Sequence, residues 1–204
     1  SIALGGLTNG VSNLELTAAY SAIANRGVYT KPVYYTKIVD SSGRILVDNE
    51  RNPETRTVIK ESTAWLLTNA MEDVCETSYL YGHSDIRSSA PQAKVDGMPT
   101  AGKSGTTTDN NDVWFVGYTP YYTMGLWQGY DENSPMSTGE DVKSMWNRIM
   151  TRACEDLPEK SFPEMPNNIE SATICRKSGK LAVPATCDCD AEGDMSYTEY
   201  FAKG

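Results

Sequence analysis

Residues Thr100 to Tyr130 read TAGKSGTTTDNNDVWFVGYTPYYTMGLWQGY, and this stretch decides the fold. Three short runs, Thr100 to Thr107, Val113 to Tyr118 and Tyr122 to Tyr130, carry the Thr, Val and aromatic residues that strands favour. They are split by Asp109-Asn110-Asn111-Asp112 and by Thr119-Pro120-Tyr121. Short polar side chains bond the nearby backbone and proline presets φ, so both breaks read as turns rather than, at Asp109 and Asp112, as calcium ligands. Consecutive strands joined by short turns make an antiparallel meander, and one sheet is expected here.

Working outward, Thr138 and Asp141 can cap a helix whose Val142, Met145, Trp146, Ile149, Met150 and Ala153 form an apolar stripe ending before Pro158. A stripe of that kind is what a sheet-covering helix needs. Upstream, Thr77 to Pro99 is polar and holds Gly82, Pro91, Gly97 and Pro99, so an irregular surface loop is expected. Before it, Ala64, Leu67, Met71 and Val74 recur at helical spacing over Glu61 to Glu76. Val33 to Asp40 and Arg44 to Asp48 flank Ser41-Ser42-Gly43 as a solvent-edge hairpin. Ser12 and Glu15 have the spacing of a capping box, opening a helix that Gly27 stops.

The expected architecture is therefore α+β, a mainly antiparallel sheet covered by helices, over residues 1–156. From Leu157 the text changes: Pro158, Pro163, Pro166 and Pro184, three cysteines and no sustained period point to a loop-rich C-terminal tail over 157–204. The opening Ser1-Ile2-Ala3-Leu4-Gly5-Gly6 has no initiator Met and reads as the middle of a structured loop, so a fragment is expected.

Eighteen Lys and Arg against 27 Asp and Glu leave a formal charge of -9, too little positive field to hold a phosphate backbone. No nucleic-acid partner is expected. No apolar run is long enough to cross a bilayer and no signal-peptide pattern opens the chain, which would place any membrane anchor outside it. The only histidine, His83, lacks a spaced carboxylate or nucleophile and reads as a solvated side chain.

Five cysteines, Cys75, Cys154, Cys175, Cys187 and Cys189, are an odd number and too few for a disulfide scaffold. Cys175, Cys187 and Cys189 offer three metal ligands with no histidine near and no Cys-x-x-Cys pair, so no metal site is expected. A disulfide from Cys175 to either Cys187 or Cys189 is the better reading. Cys75 and Cys154, at the ends of two helices, read as small buried hydrophobes.

The chemistry-bearing residues are Lys103-Ser104-Gly105-Thr106-Thr107 on the first strand of the meander. A lysine beside a cleft offers positive charge to a substrate carboxylate, and hydroxyls at alternate strand positions point the same way. A glycine lets another backbone lie against the strand, so an extended peptide can add there. The N–H that follows the glycine would serve as half of an oxyanion hole.

Ala101-Gly102-Lys103-Ser104-Gly105-Thr106-Thr107, then Asp112-Val113-Trp114-Phe115-Val116-Gly117-Tyr118-Thr119-Pro120, then Gly125-Leu126-Trp127-Gln128-Gly129-Tyr130-Asp131, resembles the third-motif region of class A penicillin-binding proteins. Ala3-Leu4-Gly5-Gly6, Ala24-Asn25-Arg26-Gly27-Val28-Tyr29 and Lys31-Pro32 resemble the segment before that region. Ile174-Cys175, Ser178-Gly179 and Tyr200-Phe201 resemble the family's C-terminal element, so the likeness runs from end to end.

The resemblance implies a partial serine transpeptidase or β-lactamase-like fold and a peptidoglycan D,D-transpeptidase that needs no cofactor. It assigns Lys103 and Thr106 to catalysis, Lys103 orienting and polarising the centre and the Thr106 N–H completing the oxyanion hole. Ser104 and Thr106 would hold the carboxylate of a D-Ala-D-Ala stem peptide or of a β-lactam, with Gly105 giving clearance and Thr107 continuing the strand. It also implies action on the extracytoplasmic side of a bacterial cell membrane.

The chemistry requires a Ser-x-x-Lys pair and a Ser-x-Asn motif, and neither occurs in these 204 residues. In the family both precede the Ala-Leu-Gly-Gly element, so the missing upstream part of the same protein becomes an expected partner. The chain alone is expected to be inactive. The alternative reading is a non-catalytic peptide-binding or structural module of a cell-wall protein.

Overall fold

The structure, a computed structural model, describes residues 6–76, 87–136 and 141–203. In chain order the elements are α1 (Asn13–Ala24), β1 (Val28–Thr30), β2 (Lys37–Val39), β3 (Ile45–Asp48), β4 (Thr55–Thr57) and α2 (Glu61–Cys75). They continue as β5 (Ala101–Thr106), β6 (Asp112–Tyr118), β7 (Thr123–Gly129), α3 (Val142–Cys154), β8 (Ile169–Cys175), β9 (Lys180–Leu181) and β10 (Ser196–Ala202). Ala3, Leu4 and Gly5, His83 and the Thr138 cap lie outside the described residues.

The expected meander is present: β5, β6 and β7 pair antiparallel in that order. Register sorts the side chains into two faces, because directly paired residues point to the same side. Ser104, Phe115 and Leu126 fall on one face, and Lys103, Val116 and Gly125 on the other. Helix α3 covers the first face, where Phe115 and Trp146, both fully buried, meet edge to face at 5.0 Å between centroids. The Trp146 indole N–H donates to the Met124 carbonyl at 2.8 Å, so burial of the ring leaves no polar atom unpaired. Helices α1 and α2 cover the opposite face around Tyr118, Ala101 and Met71. The α+β reading therefore stands, with the sheet between two helical layers.

The α3 stripe is narrower than expected. Val142, Trp146, Met150 and Cys154, spaced by four, are buried, whereas Ile149 and Ala153 are exposed. The large Trp146 side chain fills the space between helix and sheet, and residues off its row turn outward.

Helix α1 starts on the Ser12 capping box, with the Ser12 hydroxyl accepting from the Glu15 N–H and the Glu15 carboxylate accepting from the Ser12 N–H at 2.8 Å. Gly27, at φ 87°, follows the helix where a Cβ would lie 2.2 Å from the Ile59 carbonyl oxygen, so no other residue fits. The hairpin forms as β2 and β3 around Asp40 to Gly43, its Asp40 carboxylate accepting from the N–H groups of Ser42 and Arg44. The β1–β4 pair was not anticipated, since three-residue strands, β1 half-buried and β4 exposed throughout, leave too little pattern to recognise.

The loop expected over Thr77 to Pro99 departs from a surface loop in its described portion. Ala90, Ala93, Val95 and Met98 are buried and join Phe115 and Trp146 in the main core. Pro91 opens a single 3-10 turn at Pro91–Ala93, and the segment is tied to α2 by Ala90 N–H donating to the Val74 carbonyl at 2.9 Å. Proline and glycine here signal chain reversal, not exposure.

The tail also carries more order than its composition suggested. A three-stranded antiparallel sheet, in the order β10-β8-β9, folds over a small cluster of Cys175, Cys187 and Met195. It is fastened to α2 by Trp65, whose ring meets Tyr200 at 5.1 Å and whose N–H donates to the Pro163 carbonyl at 3.1 Å. So small a core needs only a few inward positions, and no sustained period shows in the sequence. Cys75 and Cys154 are buried at their helix ends, as read, and all five cysteines are free thiols. The expected disulfide is thus not formed in this structure, although Cys175 and Cys187 are packed into the same buried cluster while Cys189 is exposed. Among the described residues no group of three or more His, Cys, Asp or Glu is placed to hold a metal ion. Among them, too, no helix is long and apolar enough to cross a membrane.

Candidate active-site edge

Strand β5 is an edge strand: β6 pairs with one side of it, and its other side has no partner among the described residues. That open side presents backbone N–H and C=O groups to an incoming extended chain. Lys103 and Thr106 are exposed, and Ser104 and Gly105 are half-buried. Ser104 and Thr106 share the α3 face, so the alternate-position hydroxyls do point the same way. Lys103 and Gly105 belong to the face of α1 and α2. A ligand touching both Lys103 and the two hydroxyls must therefore run along the edge rather than lie on either face.

The electrostatics favour an anion. The Lys103 ammonium donates to the Ser104 carbonyl at 3.0 Å and has no carboxylate partner among the described residues. The Ser104 and Thr106 hydroxyls make no hydrogen bond to any described residue. A cation and two hydroxyls are thus left free for a carboxylate.

The glycines of the strand divide by function. A Cβ on Gly102 would come within 2.5 Å of the Phe115 ring and 3.0 Å of the Gly117 backbone, so Gly102 is demanded by the core. A Cβ on Gly105 would meet only the Trp114 Cβ at 3.5 Å, an ordinary contact. Nothing among the described residues requires Gly105, which leaves clearance for a chain lying along the strand as its physical use.

Thr107 lies just past the strand, and its hydroxyl is engaged in the turn. It accepts from the Asp112 N–H at 2.8 Å, while the Thr107 N–H donates to the Asp112 carbonyl at 3.0 Å. The intervening Asp109 and Asn110 adopt positive φ of 59° and 56°, the left-handed conformation short polar residues tolerate. Asp112 also accepts from the Trp127 indole at 2.9 Å, and Trp127 stands 6.3 Å from Trp114. This Asp112–Trp127 brace was missed from sequence, where Asp112 looked like one more turn residue.

A cavity of about 330 Å³ lies elsewhere, between α1, α2 and the Ser161 to Pro166 strap. Glu72 lines it with a carboxyl pushed up to about 7, first by burial and then by the nearby Asp73 and Glu76 charges. It shares no lining residue with the β5 edge.

Residues 1–150 match the family model of the penicillin binding protein transpeptidase domain, and residues 165–204 match that of the penicillin-binding protein 1A C-terminal domain. Penicillin-binding protein 1A of Clostridium novyi (strain NT) is 33% identical over 212 residues, taking in 100% of this chain and 22% of that protein. Penicillin-binding protein 1A/1B of Bacillus subtilis (strain 168) is 32% identical over 218 residues, covering 98% of this chain and 22% of that one. The chain thus spans about a fifth of the length of the curated relatives it matches. Among solved structures, penicillin-binding protein 1A from Haemophilus influenzae superposes with a TM-score of 0.74 at 22% identity, over 95% of this chain and 32% of that chain. That likeness is one of fold, and it agrees with the sheet and helix layers described above. On the family models and the curated relatives together, the chain belongs to the penicillin-binding protein transpeptidase family, in its class A branch.

Proposed function

We propose that this chain supplies one wall of a serine D,D-transpeptidase site in peptidoglycan synthesis. The observation that carries the reading is the edge of β5, unpaired among the described residues, where Lys103 without a carboxylate partner and Ser104 and Thr106 hydroxyls without a hydrogen bond among those residues flank a glycine that none of them requires. An extended stem peptide lies along that edge with its terminal carboxylate held by Lys103, Ser104 and Thr106. The Thr106 N–H meets the penultimate D-alanine carbonyl as it gains negative charge in the tetrahedral intermediate. Thr107 acts from behind, holding the turn that ends the strand.

The nucleophile comes from polypeptide outside these residues, since no Ser-x-x-Lys occurs among them. Its serine oxygen attacks the carbonyl, the terminal D-alanine leaves with a proton as the free amino acid, and the acyl group passes to an amine of a neighbouring stem. A β-lactam carries the same carboxylate and a reactive amide, so it occupies the same edge. The reading places the site on the outer side of the cytoplasmic membrane, where that substrate is found.

The test is labelling with a fluorescent penicillin, on this chain alone and after assembly with a polypeptide that carries Ser-x-x-Lys. The expected result is no covalent label on this chain, label on the supplied polypeptide, and loss of that label with Lys103→Ala. Covalent label on a residue of this chain would overturn the division of labour. An assembled but unlabelled complex would favour a non-catalytic wall-binding module.

A further inference from the structure

The C-terminal sheet buries a pair of thiols that the transpeptidase reading does not use. Cys175 ends β8 and Cys187 lies in the loop that leads toward β10, yet both are packed into one cluster with Met195. The backbone fixes their approach from several sides. The Met195 N–H donates to the Cys187 carbonyl at 2.7 Å, the Arg176 N–H donates to the Met195 carbonyl at 2.8 Å, and the Gly179 N–H donates to the Cys175 carbonyl at 2.8 Å. The Val183 N–H points at the Cys187 sulfur at 3.5 Å. Cys189, two residues further on, is exposed and outside the cluster.

We propose that Cys175 and Cys187 form a reversible dithiol–disulfide clasp that locks the C-terminal sheet, with Cys189 excluded from it. The two thiols differ in role. Cys175 is the nucleophile: its contact with Cys187 holds its thiol below the ordinary range against the opposing effect of burial, whereas the same contact raises that of Cys187. The Cys175 thiolate attacks one sulfur of a small disulfide oxidant and expels the other as a thiolate. Cys187 then loses its proton to solvent and attacks the Cys175 sulfur of the mixed disulfide, expelling the second thiolate. Two electrons pass from the thiols to the oxidant's disulfide, which leaves as two thiols. The closed clasp ties the end of β8 to the segment before β10, with β9 inside the loop. The other two buried thiols do not compete: burial pushes Cys75 up to about 12, and Cys154 is spent against the Thr119 hydroxyl.

The experiment treats the folded chain with oxidised glutathione and maps every cysteine by alkylation and non-reducing peptide mass spectrometry. The expected product has lost two hydrogens, carries one Cys175–Cys187 cross-link, and unfolds at a higher temperature that returns to its starting value on reduction. Cys189→Ser should give the same link, and Cys187→Ser should retain glutathione on Cys175 for want of a resolving thiol. A link that includes Cys189, or a wild-type protein in which Cys175 and Cys187 both remain alkylatable after oxidation, would overturn the proposal. The wild-type and Cys189→Ser maps decide it even if Cys187→Ser does not fold. Penicillin labelling takes no part in this readout, so failure of the clasp and failure of the transpeptidase reading are separable.

Discussion

Ser104 and Phe115 stand directly opposite each other on the β5–β6 ladder, so the half-buried hydroxyl of the candidate site and the fully buried ring under α3 share one face of the sheet. The site strand is therefore positioned from beneath by a core contact, Phe115 against Trp146, rather than by anything at its open edge.

Trp146→Ala removes that support and the bond to Met124. The expected cost is ~3–5 kcal/mol of stability, as for other large aromatic truncations in cores. Trp146→Phe keeps a ring but strands the Met124 carbonyl, at a cost of about 1–3 kcal/mol. Urea denaturation ranks the two, and a Trp146→Phe protein as stable as the original would show that the indole N–H contributes nothing.

The two glycines of β5 should separate stability from function. Gly102→Ala drives a methyl into Phe115 and the Gly117 backbone, and overpacking of this sort costs ~1–3 kcal/mol. Gly105→Ala meets only ordinary contact and should leave stability within about 0.5 kcal/mol. On the proposed reading the added methyl crowds a ligand lying along the strand, so penicillin acylation of the assembled site should fall while the melting curve stays put. A Gly105→Ala protein that acylates at the unaltered rate would remove clearance as the reason for this glycine.

The parts of this fold legible in the sequence were those with their own local signal. Ser12 and Glu15 wrote a capping box, Asp109 to Asp112 wrote a turn, and the three strand runs could pair in only one simple way. Burial over 90–98 was hidden because Ala90, Ala93, Val95 and Met98 enter the core through tertiary contact with α2 and α3, with no period of their own. The C-terminal sheet was hidden for a related reason, since β8 pairs with β10 across the cysteine-bearing loop. At the candidate site, Lys103 to Thr106 were singled out by residue type and by the resemblance to the family's motif. Their division between two faces, and the capture of Thr107 by Asp112, needed register.

Adjacent threonines should then respond in opposite ways. Thr106→Val deletes an exposed hydroxyl without a partner among the described residues, so stability should hold while acylation of the assembled site drops. Thr107→Val deletes the acceptor for the Asp112 N–H, and losing such a bond costs ~0.5–1.5 kcal/mol. Its effect on acylation should be explained by the loosened turn and be partly restored by Thr107→Ser, which returns the hydroxyl. If Thr107→Val left stability untouched but abolished acylation, the hydroxyl would belong to the substrate and not to the turn.

Glu72 gives the molecule a pH dependence of defined sign. Its carboxyl rises from an ordinary 4.5 to about 7, chiefly through burial, with Asp73 and Glu76 adding repulsion and Lys94 opposing them. The folded state consequently binds more protons than the unfolded chain between those values, and stability must fall as pH rises across that window. The favourable contribution is complete below about 4.5 and gone above about 7. Because the side chain is only partly enclosed, solvent screening reduces the effect to on the order of 1 kcal/mol. Glu72→Gln keeps the shape and removes the titration, so it should be the more stable protein at pH 8 and show a flatter profile between about 5 and about 7. Parallel stability profiles for the two proteins would place the Glu72 carboxylate in contact with solvent and assign the fall in stability to another group.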